Sequence, residues 1–295
     1  MIDIITGKTQ LLGLIGNPVE HSISPQLHNT LYSQFKLNMV YLPFRVTSQD
    51  LPKVIEAFRC LEIKGFNVTI PHKVEIIKQL DAVSEEALLI GAVNTVHIKE
   101  GKLHGYNTDG QGFVRSLRDS GFSIKGVKAV ILGAGGAARA VAVKLAHEGA
   151  KQIVLLNRTL DKAKALSELI NSKVKDVSIY DEMITGNVKK YTCDCDIIVN
   201  TTPIGMWPEL HKNPVDTQEA FRNRPFVYDL IYNPTKTKLL RMAEENSCKT
   251  LNGLGMLVYQ GVSAFEIWNK VNVPDSTTKK IVDQFNEYFA HNAGI

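Results

Sequence analysis

The stretch Val130-Ile131-Leu132-Gly133-Ala134-Gly135-Gly136-Ala137-Ala138 constrains the fold of this chain more than any other. An apolar, β-branched run enters a G-x-G-x-x-A turn and leaves it in a helical pattern, about Ala137 to His147, closed by Gly149. Gly133 permits the tight turn, Gly135 lets backbone come close to a pyrophosphate, and small Ala138 lets helix and strand pack closely. The unpaired N–H groups and the dipole at the helix start favour an anion there. A glycine turn of this type also occurs with a purely structural role. Here strand, turn, helix and a second strand, QIVLLN, follow in order, and that order favours dinucleotide binding in a Rossmann-type domain.

The end of the second strand bears on which dinucleotide. NAD-binding versions place Asp or Glu about 20 residues on, to accept the ribose hydroxyls. This chain has Asn157-Arg158-Thr159 instead, with Lys162 just beyond. An aspartate would repel a 2′-phosphate, whereas Arg158 can pair with it bidentately and stack on adenine, and Lys162 adds a second cation. NADP is therefore expected over NAD; the alternative is a solvated arginine at a helix entry.

Short β-rich runs alternate with helical patterns on both sides of this unit. Before it come LLGLIG, a helix after Pro25, MVYLPFRV, a helix over Leu51 to Leu61, GFNVTI, a helix over Val74 to Leu80, and a strand over Ala92 to Ile98. Leu51, Val54, Ile55, Phe58 and Leu61 make a one-face stripe at helical spacing. A turn-rich segment, His104 to Gly110, leads to a helix near Gly112 to Asp119. After the glycine turn come a helix over Asp161 to Ile170 with Asp161 as its cap, the strands DIIVN and FVYDLI, and closing helices over 254–268 and 275–290. Such alternation predicts an α/β architecture with largely parallel sheets. At roughly 100 to 200 residues per domain, 295 residues make two domains. The expected division is 1–110, 111–250, and final helices over 251–295 that return to the first domain.

Composition excludes several classes of function. Lys plus Arg is 34 against 30 for Asp plus Glu, and this excess of +4 has no basic run, which argues against a nucleic-acid partner while leaving room for a small-anion pocket. Cys60, Cys193, Cys195 and Cys248 give only a C-x-C pair, which fits neither a redox C-x-x-C nor a zinc knuckle, so no metal is expected. The start MIDIITGKTQ has no basic region before a long apolar stretch, and no window approaches 18 uninterrupted apolar residues. A cytoplasmic protein without membrane contact is expected.

Four polar patches lie outside the glycine-turn unit. In His21-Ser22-Ile23-Ser24-Pro25, two hydroxyls precede a helix; they can cap it or bind a carboxylate. In Asn67-Val68-Thr69-Ile70-Pro71-His72-Lys73, strand alternation puts Asn67 and Thr69 on one side, with Lys73 at the strand's C-terminal mouth, where ligands of open α/β sheets bind. Alternation points His72 elsewhere. Asn94-Thr95 is a polar pair inside an apolar strand, and Asn107-Thr108-Asp109-Gly110 reads alone as a turn with an Asp cap.

Together these patches resemble the shikimate dehydrogenase family. The matching elements are HSISP at 21–25, NVTIPHK at 67–73, GAVNT at 91–95, NTDG at 107–110, GAGGAA at 133–138, NRT at 157–159, NTTPIGM at 200–206, YDLIYNP at 228–234 and NGLGMLVYQG at 252–261. They run in the family's order over nearly the whole chain. The resemblance implies reversible NADPH-dependent reduction of 3-dehydroshikimate to shikimate, a step of aromatic amino-acid biosynthesis, by a monomer or homodimer. It implies that Lys73 and Asp109 are the catalytic pair and that Ser22, Ser24, Asn67, Thr69, Asn94, Tyr232 and Gln260 contact substrate. Cofactor positions would be Gly133, Ala134, Gly135, Gly136, Ala137, Asn157, Arg158, Thr159 and Lys162, with Leu230, Gly253 and Met256 on the nicotinamide side and Glu85 near the cofactor.

The residue types suit that chemistry. Hydride arriving at a ketone leaves an alkoxide that a positioned acid must protonate, and Lys73 offers both the proton and the charge. Without the resemblance, Tyr232 reads as a partly buried strand tyrosine and Gln260 as an exposed helix residue. Trp207 is a candidate cover for the cofactor, and Lys189-Lys190 a solvated face. Two rivals stand beside this reading: a quinate/shikimate dehydrogenase using NAD, and a non-catalytic dinucleotide-sensing protein.

Overall fold

The alternation becomes two six-stranded sheets in a computed structural model, which describes residues 5–291. Each sheet belongs to its own compact unit. The first unit extends to Asp109 and takes in Val258–Ile281; the second is Gly110–Leu257 with the described residues from Val282 onward.

The first unit contains β1 (Gln10–Gly16), α1 (Ser24–Gln34), β2 (Met39–Arg45), α2 (Leu51–Cys60), β3 (Gly65–Val68), β4 (Ala82–Val83), α3 (Glu85–Ile90), β5 (Thr95–Lys99) and β6 (Lys102–Tyr106), and α4 (Asp109–Asp119) starts at its edge. Its strand order is β2-β1-β3-β5-β6-β4. The helical crossovers through α1 and α2 make β2, β1 and β3 parallel. β5 then runs antiparallel to β3 and forms a hairpin with β6, so this sheet is mixed where the alternation predicts it largely parallel. The difference comes from Glu100-Gly101, whose φ values of 52° and 73° make the tight two-residue turn that a hairpin needs. Over Glu75–Gln79 the chain makes a short 3₁₀ turn that buries only Ile76, in place of the expected α-helix. In α2 the stripe holds for Leu51, Ile55 and Phe58, while Leu61 lies past the helix end and is exposed.

One face of this sheet packs Ile15, Phe66, Val68 and Val96 against Ile55 and Phe58 of α2. An aromatic group that includes Tyr32, Tyr41 and Trp268 is also fully buried. Trp268 comes from α9 (Leu254–Asn269), and its Nε1 donates to the Val96 carbonyl at 2.9 Å. A Cβ at Gly65 would overlap the Trp268 indole, so glycine is what lets the indole lie against the strand.

The second unit holds β7 (Lys128–Leu132), α5 (Gly136–His147), β8 (Gln152–Asn157), α6 (Leu160–Lys173), β9 (Ser178–Glu182), α7 (Thr185–Thr192), β10 (Ile197–Asn200), β11 (Phe226–Asp229), α8 (Lys238–Glu245) and β12 (Thr250–Leu251). All its pairings are parallel, in the order β12-β11-β10-β7-β8-β9, which is the doubly wound order with its switch point between β7 and β10. Strands covered on both faces must be apolar throughout, and β7, β8, β10 and β11 are buried almost end to end. Thr159, not Asp161, is the residue at the cap of α6; Asp161 lies in the first turn, where its charge still complements the helix dipole. The strand predicted over FVYDLI stops at Asp229. The final helix, α10, spans Asp275–His291. Among the described residues, no helix is long and apolar enough to cross a membrane.

Candidate active site

Topology gathers the polar patches of the first unit at one edge of its sheet. β1 ends at Gly16 before Ser22 and Ser24, and parallel β3 ends at Val68 before Thr69 and Lys73. Antiparallel β5 starts at that edge, with Thr95 opposite Asn67, and β6 ends there, with Tyr106 opposite Thr95, before Asn107 to Asp109. Patches more than eighty residues apart in sequence thus share one rim, and it is the C-terminal mouth of β1 and β3.

At this rim Lys73 Nζ meets Asp109 Oδ2 at 2.5 Å, and the two side chains are 17% and 6% exposed. The other carboxylate oxygen, Oδ1, accepts from Asn94 Nδ2 at 2.8 Å. Asn94 Nδ2 also lies 3.2 Å from Gln260 Oε1. Main-chain bonds hold both partners: Val93 N donates to Lys73 O at 2.7 Å, and Asp109 N donates to Asn107 Oδ1 at 3.1 Å, while Asn107 Nδ2 donates to Ala92 O at 2.9 Å. Asp109 is the first helical residue of α4, one position past the cap its sequence context suggests, and its charge suits that first turn. An ammonium has three donors, so its bond to Asp109 leaves capacity for a further oxygen. A buried ion pair is poor evidence of stability, because desolvation offsets most of the attraction; its value lies in placing a proton donor beside an acceptor.

The remaining first-unit candidates sit as follows. Ser22 Oγ and Ser24 Oγ are 3.2 Å apart, and Ser24 N donates to Ser22 Oγ. Neither caps α1, whose cap position is Ile23 with no side-chain bond, while Pro25 takes the first turn as expected. Thr69 lies one residue past β3, and its N–H extends the ladder by donating to Ile15 O at 2.9 Å. Asn67 is buried, and Tyr41 Oη donates to its Oδ1 at 2.7 Å. Gln260 is 8% exposed, against the exposed helix position its sequence context alone suggests. His72 is buried with Nε2 2.8 Å from Val46 O, which ties the loop after β3 to the end of β2. Glu85 opens α3 with an exposed side chain behind the Ser84 cap.

In the second unit the glycine turn has the geometry an anion needs. Gly133 has φ 111°, and a Cβ there would press on Thr201 Oγ1, so only glycine suits the position. Gly135 is the cap of α5 and has open space where a Cβ would be, so a group can approach the backbone there. Ala138 is fully buried against the sheet. At the end of β8, Asn157 Nδ2 donates to Thr159 O at 2.8 Å, shaping a turn from which Arg158, Thr159 and Lys162 project into solvent. Those features fit a phosphorylated dinucleotide: a backbone cradle at a helix start and two cations at the neighbouring strand end. Gly253 N donates to Ile231 O at 3.1 Å, and a Cβ at Gly253 would overlap the Leu230 carbonyl. Met256 is buried in the first turn of α9. Tyr232 lies in the loop after β11, not in a strand; burial raises its phenol pKa, and its ring meets Phe289 edge-on. Trp207 is 63% exposed, and Lys189 and Lys190 lie on a solvated face, where Lys189 pairs with Glu219.

One buried group escapes sequence reasoning. Asp229, at the end of β11, accepts from Asn200 Nδ2 at 3.0 Å, Ile231 N at 3.1 Å and Thr237 Oγ1 at 2.7 Å. Asn200 in turn accepts from Thr202 N and Thr202 Oγ1, so one clasp holds the loops that follow β10 and β11. Burial pushes the Asp229 carboxyl up to about 6 against those hydrogen bonds. A lone aspartate closing an apolar strand was its only sequence signal.

Comparison with known proteins agrees with this geometry. Residues 14–96 match the shikimate dehydrogenase substrate binding domain, residues 116–229 the shikimate / quinate 5-dehydrogenase domain, and residues 253–282 the shikimate 5′-dehydrogenase C-terminal domain. A shikimate dehydrogenase (NADP(+)) of Alkaliphilus oremlandii is 47% identical over 278 residues, which are 94% of this chain and 97% of that protein. A shikimate 5-dehydrogenase of Listeria monocytogenes, solved with shikimate and NAD, superimposes with a TM-score of 0.86 at 40% identity, covering 94% of this chain and 98% of that one. A shikimate dehydrogenase solved in complex with NADP+ superimposes with the same TM-score at 44% identity, covering 95% and 97%. With three consecutive domain matches and near-full-length relatives well above 30% identity, the chain belongs to the shikimate dehydrogenase family.

Proposed function

We propose that the chain is an NADP-dependent shikimate dehydrogenase that interconverts 3-dehydroshikimate and shikimate in the route to aromatic amino acids, acting in the cytoplasm. The observation that carries this reading is the Lys73–Asp109 pair, fixed at 2.5 Å and braced by Asn94 at 2.8 Å. Relatives named for NADP-dependent shikimate dehydrogenase activity, and structures solved with shikimate or NADP+, support it.

Bound nicotinamide supplies or accepts the hydride. Lys73 protonates the oxygen left at the reduced carbon and, in the oxidative direction, takes that proton back. Asp109 orients the ammonium and accepts a hydrogen bond from an adjacent ring hydroxyl. Ser22 and Ser24 suit the substrate carboxylate, and Thr69, Asn94, Tyr232 and Gln260 the hydroxyls. A pocket that pairs each hydroxyl rejects analogues lacking one, since its own groups would be left unsatisfied. The first unit thus serves the substrate and the second the cofactor, whose backbone cradle at Gly133 to Ala137 takes the pyrophosphate and whose Arg158 and Lys162 take the 2′-phosphate.

The test is a spectrophotometric assay of nicotinamide reduction with shikimate or quinate and either NADP or NAD. Rapid NADP reduction by shikimate is expected, with quinate and NAD poorer. Silence with shikimate and NADP would sink the proposal, and equal turnover of quinate with NAD would replace it by the quinate/shikimate type.

A further inference from the structure

We propose that Tyr41 and Asn67 are positioning residues: a buried hydrogen-bond relay from the Tyr41 hydroxyl through Asn67, Thr95 and Asn94 aims the Asp109 carboxylate at Lys73. The proposal rests on the reading of Lys73 and Asp109 as the acid–base pair. It also gives Asn67 a role other than the substrate contact that the family resemblance implies.

Two main-chain groups decide the direction of every link. A backbone carbonyl only accepts, so the Asn67 atom 3.1 Å from Asn94 O must be the amide nitrogen. Asn67 Oδ1 then faces Tyr41 Oη at 2.7 Å, and the phenol donates. The second Nδ2 proton of Asn67 goes to Thr95 Oγ1 at 3.0 Å, which leaves the threonine's own proton for Asn94 Oδ1, also at 3.0 Å. The N–H of Thr108 only donates, and it lies 2.9 Å from that same Asn94 oxygen. Asn94 Nδ2 is thereby turned to Asp109 Oδ1, and Asp109 Oδ2 is left for Lys73. A flipped Asn67 amide would set oxygen against the Asn94 carbonyl, and a flipped Asn94 amide would set nitrogen against the Thr108 N–H and oxygen against the Asp109 carboxylate, so amide orientation, usually a matter of choice, is settled here by chemistry.

The relay is shut off from water. Tyr41 and Thr95 are fully buried, and Asn67 and Asn94 nearly so. Burial holds the Tyr41 phenol well above its ordinary pKa, which keeps it a donor at any working pH. The His28 ring stacks on Tyr41 with centroids 4.3 Å apart and planes 19° apart, and burial lowers its pKa to about 3, so the stack carries no charge. Each buried polar group would be costly unpaired, so each link enforces the next. Asn67 spends both protons on Asn94 and Thr95 and has none to give a substrate.

Tyr41→Phe keeps the ring and its stack but removes the first donor; Thr95→Val removes a later one. Each is expected to lower kcat about tenfold with KM for shikimate changed less than about twofold, and to raise the solvent isotope effect on kcat, because proton transfer from a misaimed pair becomes slower. The double variant should lose little more than either single one, since both break the same relay. Partial unfolding lowers apparent kcat but leaves the isotope effect alone, and if Tyr41→Phe does not fold, Thr95→Val carries the test. Tyr32→Phe is the control: the Tyr32 hydroxyl is buried in the same unit with no hydrogen-bond partner among the described residues, and wild-type kcat is expected. Wild-type kcat and isotope effect in both Tyr41→Phe and Thr95→Val, with Lys73→Ala inactive, overturns the relay, as does a rise in KM at unchanged kcat. Full turnover by Lys73→Ala, or a wild-type protein inert towards shikimate, instead removes the acid–base reading and the relay with it.

Discussion

The rim of the first sheet and the glycine turn of the second place the groups proposed to meet substrate and cofactor by opposite means. At the rim, side chains hold one another: Lys73, Asp109, Asn94, Asn67 and Tyr41 are joined by bonds of 2.5 to 3.1 Å, mostly out of contact with water. At the turn, backbone does the holding, through the φ of 111° at Gly133 and the open cap at Gly135, while Arg158 and Lys162 stand exposed to solvent. A site made of mutually braced side chains fails as a unit when one member goes. A site made of backbone shape with exposed cations loses one interaction at a time.

The largest expected effect tests the braced half. Lys73→Ala should lower kcat by about a thousandfold, within the range of general acid–base catalysis, and leave the dissociation constant for NADP nearly unchanged in a titration. A matching loss of NADP affinity would show that the two halves do not divide the work as proposed. The independent half should respond more mildly. Arg158→Ser is expected to raise KM for NADP about ten- to a hundredfold, the value of a charged hydrogen bond or two, with kcat and KM for NAD unaffected. If NAD suffers equally, Arg158 serves the turn's shape rather than a 2′-phosphate.

The last test reads stability and leaves turnover aside: it concerns the Asp229 clasp, a braced group inside the second unit. Burial holds its carboxyl at about 6 in the folded protein, above the ordinary aspartate range, so the folded protein binds this proton more tightly than the unfolded chain does. Stability from this group is therefore fullest below pH 4, falls as pH rises to about 6, and is level above that, a loss of up to about 3 kcal/mol. Asp229→Asn should remove this slope from urea midpoints measured between pH 4 and 7. A variant with the wild-type slope would show that Asp229 titrates normally and that the clasp is looser than its bonds indicate.

What could be read from sequence follows the same division. Four strands of the second sheet, β7, β8, β10 and β11, are apolar nearly throughout because helices cover both faces, so runs such as AVIL and IVLL announce themselves, and the glycine turn between them names its own geometry. The polar strand β9 and the two-residue β12 carry no such run and go unread. In the first sheet, β5 alternates and reads as a strand, but β6 runs into a segment that reads as turn-rich, and the hairpin is hidden behind an ordinary Glu-Gly pair. Asn94 stands out as a polar residue inside an apolar strand and Lys73 by its place at a strand mouth, whereas Asp109 reads alone as an ordinary turn cap and is picked out only by the family resemblance. Tyr41 does not, since within MVYLPFR it is one more aromatic core residue, and its hydrogen bond reaches a partner 26 positions away that only the folded pairing of β1 with β2 and β3 brings near.

The indole of Trp268 rests in the space left by Gly65, two residues before Asn67 and more than two hundred positions earlier in the chain. On the ribosome, the second sheet, complete by Leu251, has all its strands before this tryptophan is made. The unit whose strands are synthesised first is therefore completed only after every strand of the other has been made. Until α9 emerges, the nascent first sheet waits with one wall missing, and Gln260 reaches the rim around Lys73 and Asp109 only as that wall arrives.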